Sequence, residues 1–310
     1  MLYWLAVINM NKKLVSSLLL LIATILWGSA FVSQNVAMDY MKPFAFQGIR
    51  CMIAVVGMMP VIAIGDGFKN DGLTFLDRWA DPKLWKAGLL CGIPLFLACN
   101  LQQLALVDVD AGKAGFLTAM YIVIVPLIGI FRKQRPGFNI PISILIAVAG
   151  LYFLSCTNGF QISTGDILLL GCALMFAVQI TFIDIFASQT DALRLNAIQG
   201  LVCALLSAIV MLITEPAPTW ESITICALPL IHVGLFSMGV AYGLQIIGQK
   251  NIEPSTASLI MSMESVFAAL FGMLILHEKM TQKELIGCVL VFCAVILSQL
   301  PIKLKKKVHP

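Results

Sequence analysis

The stretch 114–127, AGFLTAMYIVIVPL, decides the fold, because the stretch 257–270, ASLIMSMESVFAAL, repeats its plan in the second half of the chain. Each is an uninterrupted apolar run that follows a polar turn and precedes a charged turn and another apolar run. The shift of 143 residues that relates them also places Gln102 on Gln245. If each half contains an odd number of membrane spans, the two copies enter the bilayer from opposite sides and form an inverted repeat.

Composition places this chain in the membrane. Of its 310 residues, 60% are apolar and only 12% are charged, whereas the charged share of soluble domains is about 25%. Apolar segments of roughly twenty residues, the length that crosses a bilayer, occur at 14–36, 43–64, 84–107, 113–131, 138–155, 166–186, 195–213, 228–249, 255–276 and 284–300. The expected fold is an all-α membrane protein with ten transmembrane helices in two inverted five-helix repeats.

The same segments divide the chain into four parts. We expect a cytoplasmic N-terminal segment at 1–13, a first repeat at 14–157, a second, inverted repeat at 158–300 and a basic cytoplasmic tail at 301–310. With the N-terminus inside, fifteen basic residues lie in cytoplasmic segments and four lie outside. Because Lys and Arg are enriched on the cytoplasmic side of membrane proteins, both termini are predicted to be cytoplasmic, in the plasma or inner membrane.

The motifs of common enzyme classes are missing from the sequence. It contains no His-Glu-x-x-His, Gly-x-Ser-x-Gly or Gly-Lys-Ser/Thr phosphate loop and no Cys/His cluster. No catalytic residue, metal site or cofactor is therefore expected, and an ATP-driven pump is disfavoured. The nine cysteines are interpreted as packing residues, and the scattered basic residues do not indicate nucleic-acid binding. Inverted repeats are typical of secondary transporters, which leaves gradient coupling or facilitated exchange.

A family resemblance starts at residues 26–32, LWGSAFV. This segment resembles the Trp-Gly-Ser/Ala signature that opens EamA-type members of the drug/metabolite transporter superfamily. The resemblance covers essentially the whole chain and continues through Pro43, Arg50, Ala54, Tyr121, Pro126, the Gly165-Asp166 pair and residues 263–270. The chain departs from the family pattern at Ser265, where proline is common, at His277, where glycine is common, and at the Arg132-Lys133-Gln134 turn. The resemblance implies a ten-helix carrier of amino acids, other metabolites or toxic compounds, often outward.

Two ionisable residues are predicted near the middle of the bilayer. Arg50 lies eight residues into span two and Glu264 ten residues into span nine, which corresponds to depths of about 12 and 15 Å. Charged groups at such depths usually face a cavity or a partner. We therefore predict that Arg50 or Glu264 borders the substrate cavity, with Glu264 accepting a proton. The alternative is that hydrogen bonds between helices neutralise both groups and that they only fix packing.

Aromatic and amide residues form a second candidate set. Trp27, beside Gly28, lies too deep to be an interface anchor, and Tyr121, Phe176 and Gln179 lie at comparable depth. Together they would line an apolar pocket with a few hydrogen-bonding groups, with Tyr242 as a further wall. The alternative reading of each is a packing or anchoring role. Asn100, Gln102 and Gln245 lie nearer the span ends and suit gates or vestibules, and bends are expected at Pro94 and Pro126.

The preferred interpretation is an exporter of small amphipathic metabolites, such as hydrophobic or aromatic amino acids, that works by alternating access. The alternative is an efflux carrier for cationic aromatic compounds, which Glu264 would suit. A channel or an intramembrane enzyme has less support, because a continuous polar stripe and a paired nucleophile and base are both missing. The expected partners are the lipid bilayer, a small-molecule substrate and protons, for a monomer or weak dimer.

Overall fold

The computed structural model describes residues 2–69, 71–109, 111–134, 137–155, 163–275 and 280–300. The join between the halves at 156–162, the turn at 276–279 that includes His277, and the basic tail at 301–310 lie outside these residues. The spans are numbered one to ten in chain order. They comprise Leu2–Met38, Pro43–Gly67, Pro82–Ala105, Ala111–Thr118 with Tyr121–Phe131, Asn139–Ser155, Thr164–Phe186, Ala192–Thr214, Ala227–Gln249, Pro254–Met261 with Met263–Ile275, and Gln282–Gln299. Two short helices, Phe75–Trp79 and Trp220–Ile225, lie in the loops before spans three and eight.

The predicted all-α membrane fold is confirmed. Nine helices in the described ranges are long and apolar enough to cross a membrane. Span five is a shorter apolar helix of 17 residues, which corresponds to about 25 Å. The candidate membrane part of span one is Asn11–Met38. The helix that contains it, Leu2–Met38, begins within the expected N-terminal segment.

Most helices begin at residues that the sequence marks clearly. Proline occupies the first turn of spans two, three and nine, where its missing N–H has no intrahelical partner to lose. Reciprocal capping boxes, in which a hydroxyl and a carboxylate each accept a backbone N–H bond, start spans six and ten at the pairs Ser163/Asp166 and Thr281/Glu284. These local signals set where the spans enter the bundle.

The packing of the spans has a two-fold pattern. Span three packs on span six as span eight packs on span one, and span three packs on span seven as span eight packs on span two. Span four contacts span six as span nine contacts span one, while the pairs two/seven and five/ten each join equivalent helices. Each contact thus has a counterpart when the first five spans are exchanged for the last five, as expected for two inverted halves.

Three spans depart from regular α-helix. Span four is interrupted at residues 119–120 and span nine at Ser262, and both turns contain bonds to the third preceding residue, including Met120 N to Leu117 O at 3.2 Å and Ser265 N to Ser262 O at 3.2 Å. Span eight contains a π-helix, His232–Ala241. The helix continues through Pro94 and through Pro126, and the bends expected there stay a prediction. Interruptions of this kind inside membrane helices are frequent at functional sites.

An ion network joins spans two and seven beside the loop 68–81. Arg194 is buried and contacts Asp66 and, at 3.4 Å, Asp191. Its guanidinium also lies 5.4 Å from the Trp79 ring, in a helix of that loop. Arg78 hydrogen-bonds Asp71 in the same loop, and this bond holds the pKa of Asp71 below its usual value. The network anchors the loop to the bundle.

The interface of spans five and ten depends on two glycines. A Cβ added to Gly287 would lie 2.5 Å from Gly150 O and 2.6 Å from Leu154 N, and one added to Gly150 would lie 2.8 Å from Gly287 O. Such contacts involve backbone atoms that cannot move aside. Small residues at interfaces let membrane helices approach closely.

We therefore expect Gly287→Ala to lower the free energy of unfolding by about 1–3 kcal/mol, as overpacking does elsewhere. Thermal unfolding of the purified protein in detergent measures this. Gly65→Ala is the matched control, because no heavy atom lies within 4 Å of a Cβ at Gly65. Equal stability of the two variants would contradict the assigned close contact.

Candidate functional site

A central cavity lies between spans from both halves. It encloses about 540 Å³ of empty space, part of it open to solvent. Side chains of spans one to four line it from the first half and side chains of spans six, eight and nine from the second. They are Trp27, Phe31, Gln34, Arg50, Gln102, Tyr121, Phe176, Gln179, Ile180, Ser237, Met238, Tyr242, Gln245, Met261 and Glu264. The cavity thus occupies the interface between the repeats, where transporters of inverted design bind substrate.

The interruptions of spans four and nine lie next to residues that line this cavity. Tyr121 and Glu264 occupy equivalent positions under the 143-residue shift, and each lies within two residues after its break. The Tyr121 hydroxyl donates a hydrogen bond of 3.1 Å to Glu264 Oε1. The repeat therefore brings its two non-identical copies of one position into direct contact.

Glu264 has no cationic partner in the described part of the chain. Glu264 is 7% exposed, and none of the ion pairs among the described residues includes it. A buried carboxylate without a cation is costly. Uptake of a proton or approach of a cationic group removes that cost, so the geometry suits either event.

Arg50 is also buried without an opposite charge among the described residues. It is 4% exposed and belongs to none of the ion pairs there. Its Nε donates to Gln47 Oε1 at 2.6 Å and its Nη1 to Gln34 Oε1 at 2.5 Å. The guanidinium also lies 5.8 Å from the Phe46 ring centre. Neutral groups alone therefore hold this cation beside the cavity.

Aromatic rings form two edge-to-face pairs in the cavity wall. Trp27 and Tyr242 have ring centres 5.0 Å apart, and Tyr121 and Phe176 have centres 6.4 Å apart. Each pair joins one ring from the first half to one from the second. These distances lie in the favourable range for aromatic pairs, which contribute about 0.5–1.5 kcal/mol beyond area burial.

Gly28 brings span one against span nine beside these rings. A Cβ at this position would lie 2.5 Å from Phe267 Cβ and 2.8 Å from Ala268 N. Gly28 thus permits close approach of the two helices, and span one is unbroken at this position. The contact fixes the depth of Trp27 in the wall.

Hydrogen bonds between amide side chains form a chain that runs from Asn196 on span seven to Gln245 on span eight. Asn196 Nδ2 donates to the carbonyls of Met238 at 3.1 Å and Gly239 at 2.8 Å in the π-helix, and its Oδ1 accepts from Gln199 at 2.9 Å. Gln199 Oε1 then accepts from Gln179 at 3.3 Å, and Gln179 Oε1 accepts from Gln245 at 3.3 Å. Because every amide nitrogen donates in one direction, the chain ends in the Gln245 oxygen.

Seven residues were predicted from sequence to contact substrate, and all seven border the one cavity. They are Trp27, Arg50, Tyr121, Phe176, Gln179, Tyr242 and Glu264. Whether they bind substrate stays a prediction. Gln102 and Gln245, predicted as gate residues, line the same cavity, and their gating role stays a prediction. Asn100 lies apart from the lining and donates to Ser207 Oγ at 2.9 Å between spans three and seven.

Sequence reasoning missed the residues that orient the candidates. Gln34 follows Trp27 by seven residues and Gln47 precedes Arg50 by three, so each shares a helix face with a predicted residue. That spacing was the available signal. Phe31, Ser237, Met238 and Met261 also line the cavity, but they resemble ordinary packing residues in sequence.

Comparisons with known proteins also indicate a transporter. The model of the EamA-like transporter family matches residues 14–156 and 163–300. A protein of Archaeoglobus fulgidus named as an uncharacterized transporter is 33% identical over 93% of this chain and 87% of its own length. The threonine/homoserine exporter RhtA of Escherichia coli K12 is 25% identical over 84% of both chains. A solved crystal structure superposes with a TM-score of 0.75 at 18% identity, covering 92% of this chain and 97% of the other.

Proposed function

Because the chain belongs to the EamA-like transporter family, we propose that it exports small amphipathic metabolites, such as hydrophobic or aromatic amino acids, by alternating access. The observation that carries the proposal is the central cavity, in which paired aromatic rings and two ionisable residues face one space between the inverted halves. Rings supply apolar contact, and the few polar groups orient the substrate. Rocking of one half against the other would expose this site to each side in turn.

The proposal of outward amino-acid transport has support from relatives. The names of similar proteins from Escherichia coli and Salmonella typhimurium describe threonine/homoserine exporters, at 24–25% identity. Identity at that level supports amino acids as a class, and the aromatic wall directs the choice toward larger side chains. We place both termini in the cytoplasm and the carrier in the plasma or inner membrane, following the distribution of basic residues.

Coupling to protons is part of the same proposal. Among the described residues, Glu264 is the one acidic residue in the cavity lining, and Tyr121 donates a hydrogen bond to it. A carboxyl group that exchanges a proton in each cycle would couple export to proton entry. Intramembrane acidic residues commonly serve such relays.

Reconstitution tests the function. Proteoliposomes containing the purified protein should take up labelled phenylalanine, leucine or another member of an amphipathic metabolite panel faster than protein-free vesicles. A proton gradient of the right sign should increase accumulation. The absence of transport for every member, in either direction of the gradient, would contradict the proposed function.

The second candidate is efflux of cationic aromatic compounds, which the aromatic wall and the Glu264 carboxyl group, without a cationic partner among the described residues, favour. It differs in one respect that the structure makes testable. Arg50 faces the same cavity without an acidic partner among the described residues, and its charge would repel a cation. Growth inhibition by cationic dyes, with and without expression, separates the two candidates.

A further inference from the structure

Four residues around the cavity, Trp27, Arg50, Gln245 and Glu264, have hydrogen-bonding capacity left over, as donors on spans one and two and as acceptors on spans eight and nine. Among the described residues, Trp27 Nε1 on span one is fully buried and has no hydrogen-bond partner. Arg50 on span two uses Nε and Nη1, which leaves its Nη2 without a partner in the same part of the chain. A guanidinium has five N–H donors. Spans one and two therefore present donors.

Spans eight and nine present acceptors. Gln245 Oε1 is fully buried without a partner among the described residues. In the hydrogen-bond chain through Gln179, Gln199 and Asn196, each amide nitrogen donates to the next carbonyl oxygen. None of these nitrogens therefore donates to the Gln245 oxygen. Glu264 adds a carboxyl group that accepts a hydrogen bond from the Tyr121 hydroxyl. The acceptor side therefore has both an oriented dipole and an ionisable group.

The glutamines beside Arg50 hold the guanidinium without neutralising it. The Gln47 amide nitrogen lies 3.2 Å from both Cys51 Sγ and Cys203 Sγ, and the Gln34 nitrogen donates to Ala30 O at 3.3 Å. These bonds turn both amide oxygens toward Arg50. The Arg50 charge, Trp27 Nε1 and Gln245 Oε1 are only partly satisfied or unsatisfied by the described residues, which costs free energy in a buried site. A ligand that bonds to these groups would recover that free energy.

From this division we propose that the cavity binds its substrate as a zwitterion, with the carboxylate against Arg50 and Trp27 and the ammonium against Gln245 and Glu264. The inference rests on the proposed function and specifies its substrate class as free α-amino acids. Arg50 and Glu264 do not pair with each other, so both side chains remain available to the ligand. A ligand with one charge would complete one side of the cavity and leave the other unpaired.

Calorimetric titration of the purified protein with two matched ligand sets tests the inference. One set is phenylalanine, phenethylamine and phenylpropionate, and the other is leucine, isopentylamine and isocaproate. In each set the amine lacks the carboxylate and the acid lacks the ammonium. Since a site built to bond a polar group rejects an analogue that lacks it by large factors, we expect both single-charge analogues to bind at least about 100-fold more weakly than the amino acid.

Variants at Arg50 separate recognition from folding. Arg50→Gln should bring the affinities of phenylalanine and phenethylamine to within about threefold of each other, and Arg50→Lys should restore part of the preference, because a point charge replaces the bidentate donor. A purely structural role would lower all affinities together. Arg132→Gln is the matched control, because Arg132 pairs with Asp184 at 2.9 Å away from the cavity lining, and it should keep the wild-type ratio.

Equal binding of amino acid and analogues by the wild-type protein, or binding of none of the six compounds, would overturn the inference. The wild-type comparison stands even if the Arg50 variants fail to fold. Transport of amphipathic compounds in vesicles together with equal binding would leave the export function standing and remove the zwitterion site. Tight amino-acid binding without any transport would contradict the export function alone.

Discussion

In proteoliposomes, the Glu264→Gln variant is expected to lose all stimulation of transport by a proton gradient while it still exchanges labelled for unlabelled substrate. Glu264 is buried beside the cavity, and its recorded hydrogen-bond partner is the Tyr121 hydroxyl at 3.1 Å. An acidic residue at the bilayer centre costs about 3 kcal/mol on insertion scales. Exchange of a proton avoids that cost in one state of the cycle and couples the two fluxes.

Glutamine has nearly the same shape as glutamate and can accept the Tyr121 hydrogen bond through its carbonyl oxygen. The variant should therefore fold, but it has no proton to exchange. Loss of the negative charge should also weaken substrate binding in the exchange assay by about tenfold, which corresponds to about 1.4 kcal/mol. Gradient-driven accumulation and exchange, measured on the same vesicles, report the two effects separately.

Glu253→Gln is the matched control for this experiment. Glu253 is exposed at the start of span nine and its side chain makes no capping hydrogen bond, so its substitution should leave both assays unchanged. If Glu264→Gln keeps full stimulation by the gradient, Glu264 is not the coupling group. Tyr121→Phe, which removes only the hydroxyl, then becomes the variant to compare.

The second large effect is expected for Trp27→Ala, which should lower transport at least about tenfold at equal protein abundance. Trp27 packs against two of the buried apolar clusters in the bundle. Its ring contacts Tyr242 edge to face, with ring centres 5.0 Å apart. Truncation removes the apolar surface that a substrate side chain would contact, together with the free indole N–H. Large aromatic side chains bury about 150–250 Å² each, so the loss exceeds one weak contact.

Trp220→Ala provides the control, because Trp220 is 78% exposed on a short helix outside the cavity. Trp27→Phe keeps a ring but not the N–H, and it should fall between wild type and alanine. Rates are compared after normalisation to the amount of folded protein in the vesicles. Unchanged transport by a well-folded Trp27→Ala protein would remove Trp27 from the substrate site and with it the aromatic part of the proposal.

The fold was largely predictable because the bilayer imposes one length and one polarity on every span. Runs of about twenty apolar residues indicated ten helices, and the described residues contain nine helices of spanning length and one shorter apolar helix. The 143-residue shift also paired Tyr121 with Glu264, and these residues are in contact. Repetition in a sequence reports equivalent positions, and equivalent positions near an inverted-repeat axis meet.

The details of the site were less predictable. Proline was the sequence signal for bends, but the helices are interrupted elsewhere, at residues 119–120 and at Ser262. Neither turn has a strong local breaker, so packing at the interface of the halves decides where the helices tighten. Gln102 and Gln245 were placed near the span ends as gates, and both line the central cavity.

The sequence by itself determined the number of spans, the duplication and the depth of Trp27, Arg50 and Glu264, because hydropathy and helical rise depend only on position along the chain. Only the tertiary structure decided which side chains face one another. The bond of Arg50 to Gln34 and the chain that ends at the Gln245 oxygen join residues on different helices. Their direction follows from the requirement that each buried amide satisfy its donors and acceptors, and that requirement is resolved only when the helices are packed.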